Sequence, residues 1–192
     1  ICEAIFVKII ANSYLRKEQA MEKLFLVCNA HLDPIWLWEW PEGAAAAIST
    51  FQVAADFCEE YDGFIFCHNE ALLYQWVEEY APMLFARIGR LVAAGKWRII
   101  GGWYLQPDCN MPSGESMLRL ITSGLHYFME KFHTRPTCAV NFDSFGHDRG
   151  MVQIMKECGY DSYLFMRPEK FRMELPARNF IWKGYDGSKI LV

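Results

Sequence analysis

An α/β fold on a mainly parallel sheet, closed as a βα barrel or left open and doubly wound, is what this sequence predicts. Two observations lead there. Short apolar runs alternate with amphipathic stretches, the pattern of repeated strand–helix units. The polar outliers then fall at the C-terminal ends of the apolar runs: His31 and Asp33, His68 and Glu70, Asp108, Asp143, and Arg167. In βα barrels the active site gathers at those ends. No GxGxxG follows the first strand, which leaves a dinucleotide fold without its main signature.

The elements follow in order. Residues 24–30 are near-continuously apolar, as expected of a strand buried on both faces. A helix is expected over 44–60, with Gly43 before it and Asp62-Gly63 after it. A second strand at 64–67 leads into a helical region at 70–80 and a further helix at 83–94, closed by Gly95. The third strand, 97–100, ends in Gly101-Gly102-Trp103. A turn-rich loop over 106–114 precedes a long helix at 115–132. Residues 138–142 form the fourth strand, 151–158 a helix, and 162–166 a fifth strand ending at Arg167. Residues 180–182 and 190–192 read as later strands. Residues 1–21 read as a lead-in helix or linker.

The totals narrow the function classes. At 192 residues, with 53% hydrophobic and 16% aromatic side chains, the chain has material for a sizeable core and disorder is not expected. A net charge of -4 with no long basic run argues against nucleic acid or an anionic membrane as the main partner. No apolar stretch approaches the roughly 20 residues that span a bilayer. Seven cysteines occur without a CxxC pair, and there is no N-x-S/T acceptor, so a reducing, cytoplasmic setting is expected. Self-association into a homo-oligomer is compatible with these totals. The chain starts at Ile1 and ends on the apolar run Lys189-Ile190-Leu191-Val192, which reads as a piece of a longer protein.

Residues two apart on a strand share a face, so His31 and Asp33 can converge on one point. With Asp143 arriving from another strand, the set suits a zinc-type metal. Two carboxylates so close repel unless a cation lies between them or one stays protonated. A carboxylate held there could also act as a nucleophile. Taken singly, a strand-end histidine is more often a hydrogen-bonded structural residue than a ligand. Trp36, Trp38 and Trp40 follow directly and read either as core or as a platform for the apolar face of a sugar. Asp108 and Asn110 suit sugar hydroxyls or simple loop formation. Ser113 reads as a helix cap. His147 reads as a second-shell group or a structural one. His68, Glu70, His126 and His133 are expected to be structural.

The strings Ala30-His31-Leu32-Asp33-Pro34-Ile35-Trp36-Leu37-Trp38 and Phe142-Asp143-Ser144-Phe145-Gly146-His147 together resemble the α-mannosidases of glycoside hydrolase family 38. Gly101-Gly102-Trp103, Pro112-Ser113-Gly114-Glu115-Ser116 and Arg167 fall in matching order, so the resemblance covers nearly all of residues 22–192. It implies that 22–192 is the N-terminal part of a (βα)7-type barrel of the glycoside hydrolase/deacetylase kind, incomplete in this chain. It implies zinc held by His31, Asp33 and Asp143, with Asp143 also the nucleophile of a retaining hydrolysis of mannose-containing oligosaccharides. Trp36 and Phe145 would line the mannose subsite. Arg167 would help keep the nucleophile ionised. The family's fourth zinc ligand and its general acid match no residue of this chain.

Two other readings stand beside this one. A metal-dependent carbohydrate deacetylase would use its metal to activate water, but its expected Asp-Asp and His-x3-His pairs do not occur here. A non-catalytic sugar-binding module would use Trp36 and its neighbours and have no need of Asp143.

Overall fold

The structure, a computed structural model, describes residues 5–11, 24–168 and 171–192. Strand β1 (Ile5–Ala11) pairs antiparallel with β2 (Leu24–Ala30), Ile5 lying opposite Ala30. Helix α1 (Trp40–Glu60) carries the chain back, and β3 (Phe66–Glu70) joins β2 in parallel. Helices α2 (Ala71–Tyr80) and α3 (Pro82–Ala93) precede β4 (Trp97–Trp103), which extends the parallel set. Helix α4 (Gly114–Phe132) leads to β5 (Cys138–Asn141), and α5 (Met151–Glu157) to β6 (Ser162–Phe165), parallel to β5. No helix follows β6 among the described residues. The chain instead turns into an antiparallel pair, β7 (Ile181–Lys183) and β8 (Lys189–Leu191), and β8 runs parallel beside β6.

The strands therefore form two four-stranded sheets, ordered β1-β2-β3-β4 and β5-β6-β8-β7. The mixed α/β class is as expected. The two sheets meet where β4 lies beside β5. The Tyr160 hydroxyl donates to the Gly101 carbonyl at 2.6 Å, and Asn141 Nδ2 donates to the Pro107 carbonyl at 2.9 Å. Helix α4 presses onto β4 closely enough that a Cβ on Gly124 would lie 2.4 Å from the backbone of Gly102 and Trp103. Only glycine permits that approach.

Two apolar clusters fill the interior. One gathers Phe51, Phe66, Tyr74, Trp97 and Phe128, with the Trp97 indole donating to the Tyr74 hydroxyl at 2.8 Å. The other gathers Trp103, Ile121, Met155, Tyr160, Tyr163 and Ile190 beneath the second sheet. Indole and phenol groups enter such interiors at low cost when their polar atoms find partners.

Several boundaries differ from the sequence reading, each for a local reason. Helix α1 starts at Trp40 rather than 44, because Pro41 takes the first turn, where its missing N–H costs nothing. Strand β3 continues through Cys67-His68-Asn69-Glu70, all buried, where polar side chains suggested a strand end and a helix start. The lead-in expected over 1–21 as helix or linker is corrected at residues 5–11. That stretch is strand β1, and its β-branched content in Ile5-Phe6-Val7-Lys8-Ile9-Ile10 suits it. The rest of the lead-in lies outside the described residues.

His68 is fully buried against Phe51, 4.8 Å between ring centres. Neither ring nitrogen has a hydrogen-bond partner among the described residues, although the Ala30 backbone lies near enough to favour the protonated ring slightly. Burial dominates, with the His31 charge adding to it, and holds the His68 pKa down to about 3. The unfolded chain takes this proton near pH 6.5 and the folded chain refuses it. His68 therefore costs the fold stability as pH falls from about 6.5 toward 3. His68→Phe should flatten that limb of a denaturant-unfolding series across pH, and an unchanged acid slope would refute the assignment.

Candidate active site

Strand β2 is anchored near its end by Asn29, whose side-chain amide donates to the Cys67 carbonyl on β3 at 2.7 Å. Past Ala30 the chain leaves the sheet, so His31 and Asp33 lie in a turn rather than on the strand itself. They meet nonetheless. The Trp38 indole donates to the Asp33 carbonyl at 3.1 Å, closing the turn, and His31 Nε2 sits 3.1 Å from Asp33 Oδ1. The second sheet supplies Asp143, two residues beyond the end of β5. Donor atoms of His31, Asp33 and Asp143 all lie within 4.8 Å of one another. The convergence expected of these three residues is what the structure has.

Arg167, just after β6, donates its Nε to Asp143 Oδ1 at 2.5 Å. Its guanidinium carbon stands 4.8 Å over the centre of the Phe145 ring. The Arg167 backbone is held in turn. His147 Nε2 donates to the Arg167 carbonyl at 2.7 Å, while Nδ1 accepts from the Tyr163 hydroxyl at 3.0 Å. Burial lowers the His147 pKa, which favours the neutral ring that this pair of bonds requires. Gly146 turns the loop with φ +117°, and a Cβ there would meet Asn110 Nδ2 at 2.4 Å. Beside this loop lies a cavity of about 670 Å³, walled in part by Phe145, His147, Arg167, Phe180 and Trp182.

One residue that sequence reasoning missed joins the two halves. Gln106, between β4 and α4, donates its backbone N–H to Glu70 Oε1 at 3.0 Å. Its side-chain Oε1 accepts from the Phe142 N–H at 2.6 Å, and its Nε2 stands 3.2 Å from His31 Nδ1. A backbone N–H can only donate, so the carbonyl end of the amide must face Phe142. The amide nitrogen is left to donate to Nδ1, so a neutral His31 ring would carry its proton on Nε2, facing Asp33. Applying the strand-end rule to amides as well as to charged groups would have found Gln106.

The remaining expected residues supply none of the three converging donor atoms. Trp36 is 64% exposed and packs edge-on against Trp38, 5.5 Å between ring centres. Trp40 stacks toward Tyr80 at 6.4 Å. Asp108 is exposed, and its Oδ1 accepts from the N–H groups of Asn110 and Met111, so it shapes its own loop. Phe145 is 73% exposed at the cavity wall. Ser113 caps α4 by accepting from the Ser116 N–H at 3.2 Å, as its position suggested.

Comparison with known proteins adds a separate line. Residues 21–192 match a family model described as the glycosyl hydrolases family 38 N-terminal domain. The chain is 30% identical over 165 residues to alpha-mannosidase 2C1 of Mus musculus, covering 85% of this chain and 16% of that protein. It is 28% identical over 174 residues to alpha-mannosidase G of Dictyostelium discoideum, covering 90% of this chain and 16% of that protein. The crystal structure of an alpha-mannosidase from Enterococcus faecalis V583 superposes with a TM-score of 0.77 at 22% identity, over 86% of this chain and 19% of that one. The chain thus spans about 16% of the length of these two relatives.

Glu70 completes the electrostatics. It is 2% exposed, and its Oε2 has no hydrogen-bond partner among the described residues. Burial pushes its pKa up to about 7, against the opposing pull of the Gln106 N–H and His31. The folded state thus favours the proton more than the unfolded chain does. Stability contributed by neutral Glu70 is full below about pH 4.5 and is lost as pH rises through about 7. Glu70→Gln should therefore gain thermal stability relative to the parent at pH 8 compared with pH 5. An equal difference at both values would count against a buried neutral acid.

Proposed function

This chain belongs to glycosyl hydrolase family 38, and from that premise we propose that it carries the nucleophile side of a zinc-dependent, retaining α-mannosidase active site. The observation that carries this reading is the meeting of His31, Asp33 and Asp143 within 4.8 Å, with Arg167 bonded to Asp143. One imidazole and two carboxylates are donors that zinc accepts. A dication among them would also relieve the repulsion between Asp33 and Asp143. The residues present fit the metal. Zinc, when bound, would act as a Lewis acid toward the sugar hydroxyls.

This chain's own residues supply the nucleophile side. Arg167 holds one oxygen of the Asp143 carboxylate. That carboxylate adds to the anomeric carbon of a terminal α-mannoside as the bond to the leaving oxygen breaks, and water then displaces the sugar from Asp143. Phe145 and Trp36 are the aromatic faces we assign to the mannose ring, and Asp108 a hydroxyl partner at the edge. The general acid lies outside the residues matched here.

In this reading residues 22–192 are the N-terminal part of a (βα)7-type barrel, with 1–21 leading into it. The shared strand order β2-β3-β4 and β5-β6-β8, parallel within each sheet, supports it. The substrate is a mannose-containing oligosaccharide. The setting is cytoplasmic, supported by six described cysteines of which none is in a disulfide. Among the described residues no helix is long and apolar enough to cross a membrane.

In the full chain, Asp143→Asn should cut turnover of an aryl α-mannoside by about 10⁴-fold or more while binding of mannose is largely kept. Chelation should abolish parent turnover and zinc should restore it. Activity that survives both treatments would overturn the proposal.

A further inference from the structure

We propose that Gln106 is the positioning residue of this site, the group that presents the His31 imidazole to the metal. The inference rests on the reading of His31 as a zinc ligand. Three contacts converge on Gln106 from three strand ends. They are Glu70 at the end of β3 at 3.0 Å, His31 after β2 at 3.2 Å, and the Phe142 N–H after β5 at 2.6 Å. The His31 ring thus has a partner on Nδ1, and the backbone of that partner is held by Glu70.

The proton inventory gives Gln106 a further task. With Gln106 Nε2 donating to Nδ1, a neutral His31 ring carries its proton on Nε2, 3.1 Å from Asp33 Oδ1. A metal held through Nε2 would leave a neutral ring with its proton on Nδ1. Nδ1–H needs an acceptor. Gln106 supplies one by turning its Oε1 toward His31 and giving up the Phe142 N–H. Ligating histidines are held in just this way by a group on their second nitrogen, and loss of such a group typically weakens metal binding about 10- to 100-fold. A carboxylate at this position would accept from Phe142 N–H and from Nδ1–H together, without turning.

Zinc affinity of the full chain, read by competition with a chromogenic chelator, tests this directly. Unfolding midpoints of the metal-free protein are recorded alongside. Gln106→Met keeps the bulk and removes the amide, and should weaken zinc binding about 10- to 100-fold. Gln106→Glu should bind at least as tightly as the parent. If the Met variant does not fold, Gln106→Asn, whose amide is drawn back by one methylene, should show the same weakening. A Met or Asn variant whose affinity stays within about twofold of the parent overturns the inference, even if its unfolding midpoint falls, because Gln106 would then be only a prop. So does a Glu variant as weak as the Met one. A parent that takes up no zinc at all refutes the reading of the metal site itself, and this inference with it.

Discussion

Repulsion between Asp33 and Asp143 is the constraint around which this end of the molecule is built. Two partly exposed carboxylates less than 5 Å apart cost about 1–3 kcal/mol before anything answers them. Each is answered separately. Asp33 has the His31 ring, and Asp143 has the Arg167 guanidinium. Both carboxylates face one space with His31, and that is where a cation does most.

Holding that arrangement falls to groups that never meet the carboxylates. His147 and Tyr163 fix the backbone of Arg167, and Phe145 lies under its charged face. Trp38 closes the turn that carries Asp33. Charged side chains on flexible stems lose entropy when confined, so an ion pair is dependable only when its surroundings have already settled the geometry. Here the surroundings are mostly neutral and hydrogen-bonded.

Much of this was legible in the sequence because the physics was local. Strands buried on both faces are unbroken apolar runs, and β2 was read from 24–30 to the residue. His31, Asp33, Asp143 and Arg167 stood out as polar groups where apolar runs stop. What escaped depended on partners distant in the chain. His68, Asn69 and Glu70 remain in strand β3 because the fold encloses them, which no property of those three residues announces. Gln106 makes its bonds to positions 36 residues away on one side and 75 on the other. Residues 5–11 went the other way. Their strand character is present in the β-branched run of Ile5 to Ile10.

The junction of β4 with β5 has a meaning beyond packing. His31 and Asp33 follow a strand of the sheet of β1 to β4, and Asp143 and Arg167 follow strands of the sheet of β5 to β8. The site therefore straddles a seam, and its geometry is a gauge of how the sheets sit against each other. Gly101 lies in that seam, where a Cβ would stand 2.8 Å from the Asn69 side chain and 3.2 Å from that of Val140. Bulk added there would act as a wedge, and a displacement of 1 Å far from the reacting atoms can cost a reaction about a hundredfold. Chemistry at the rim is thus hostage to the fit of two apolar surfaces beneath it.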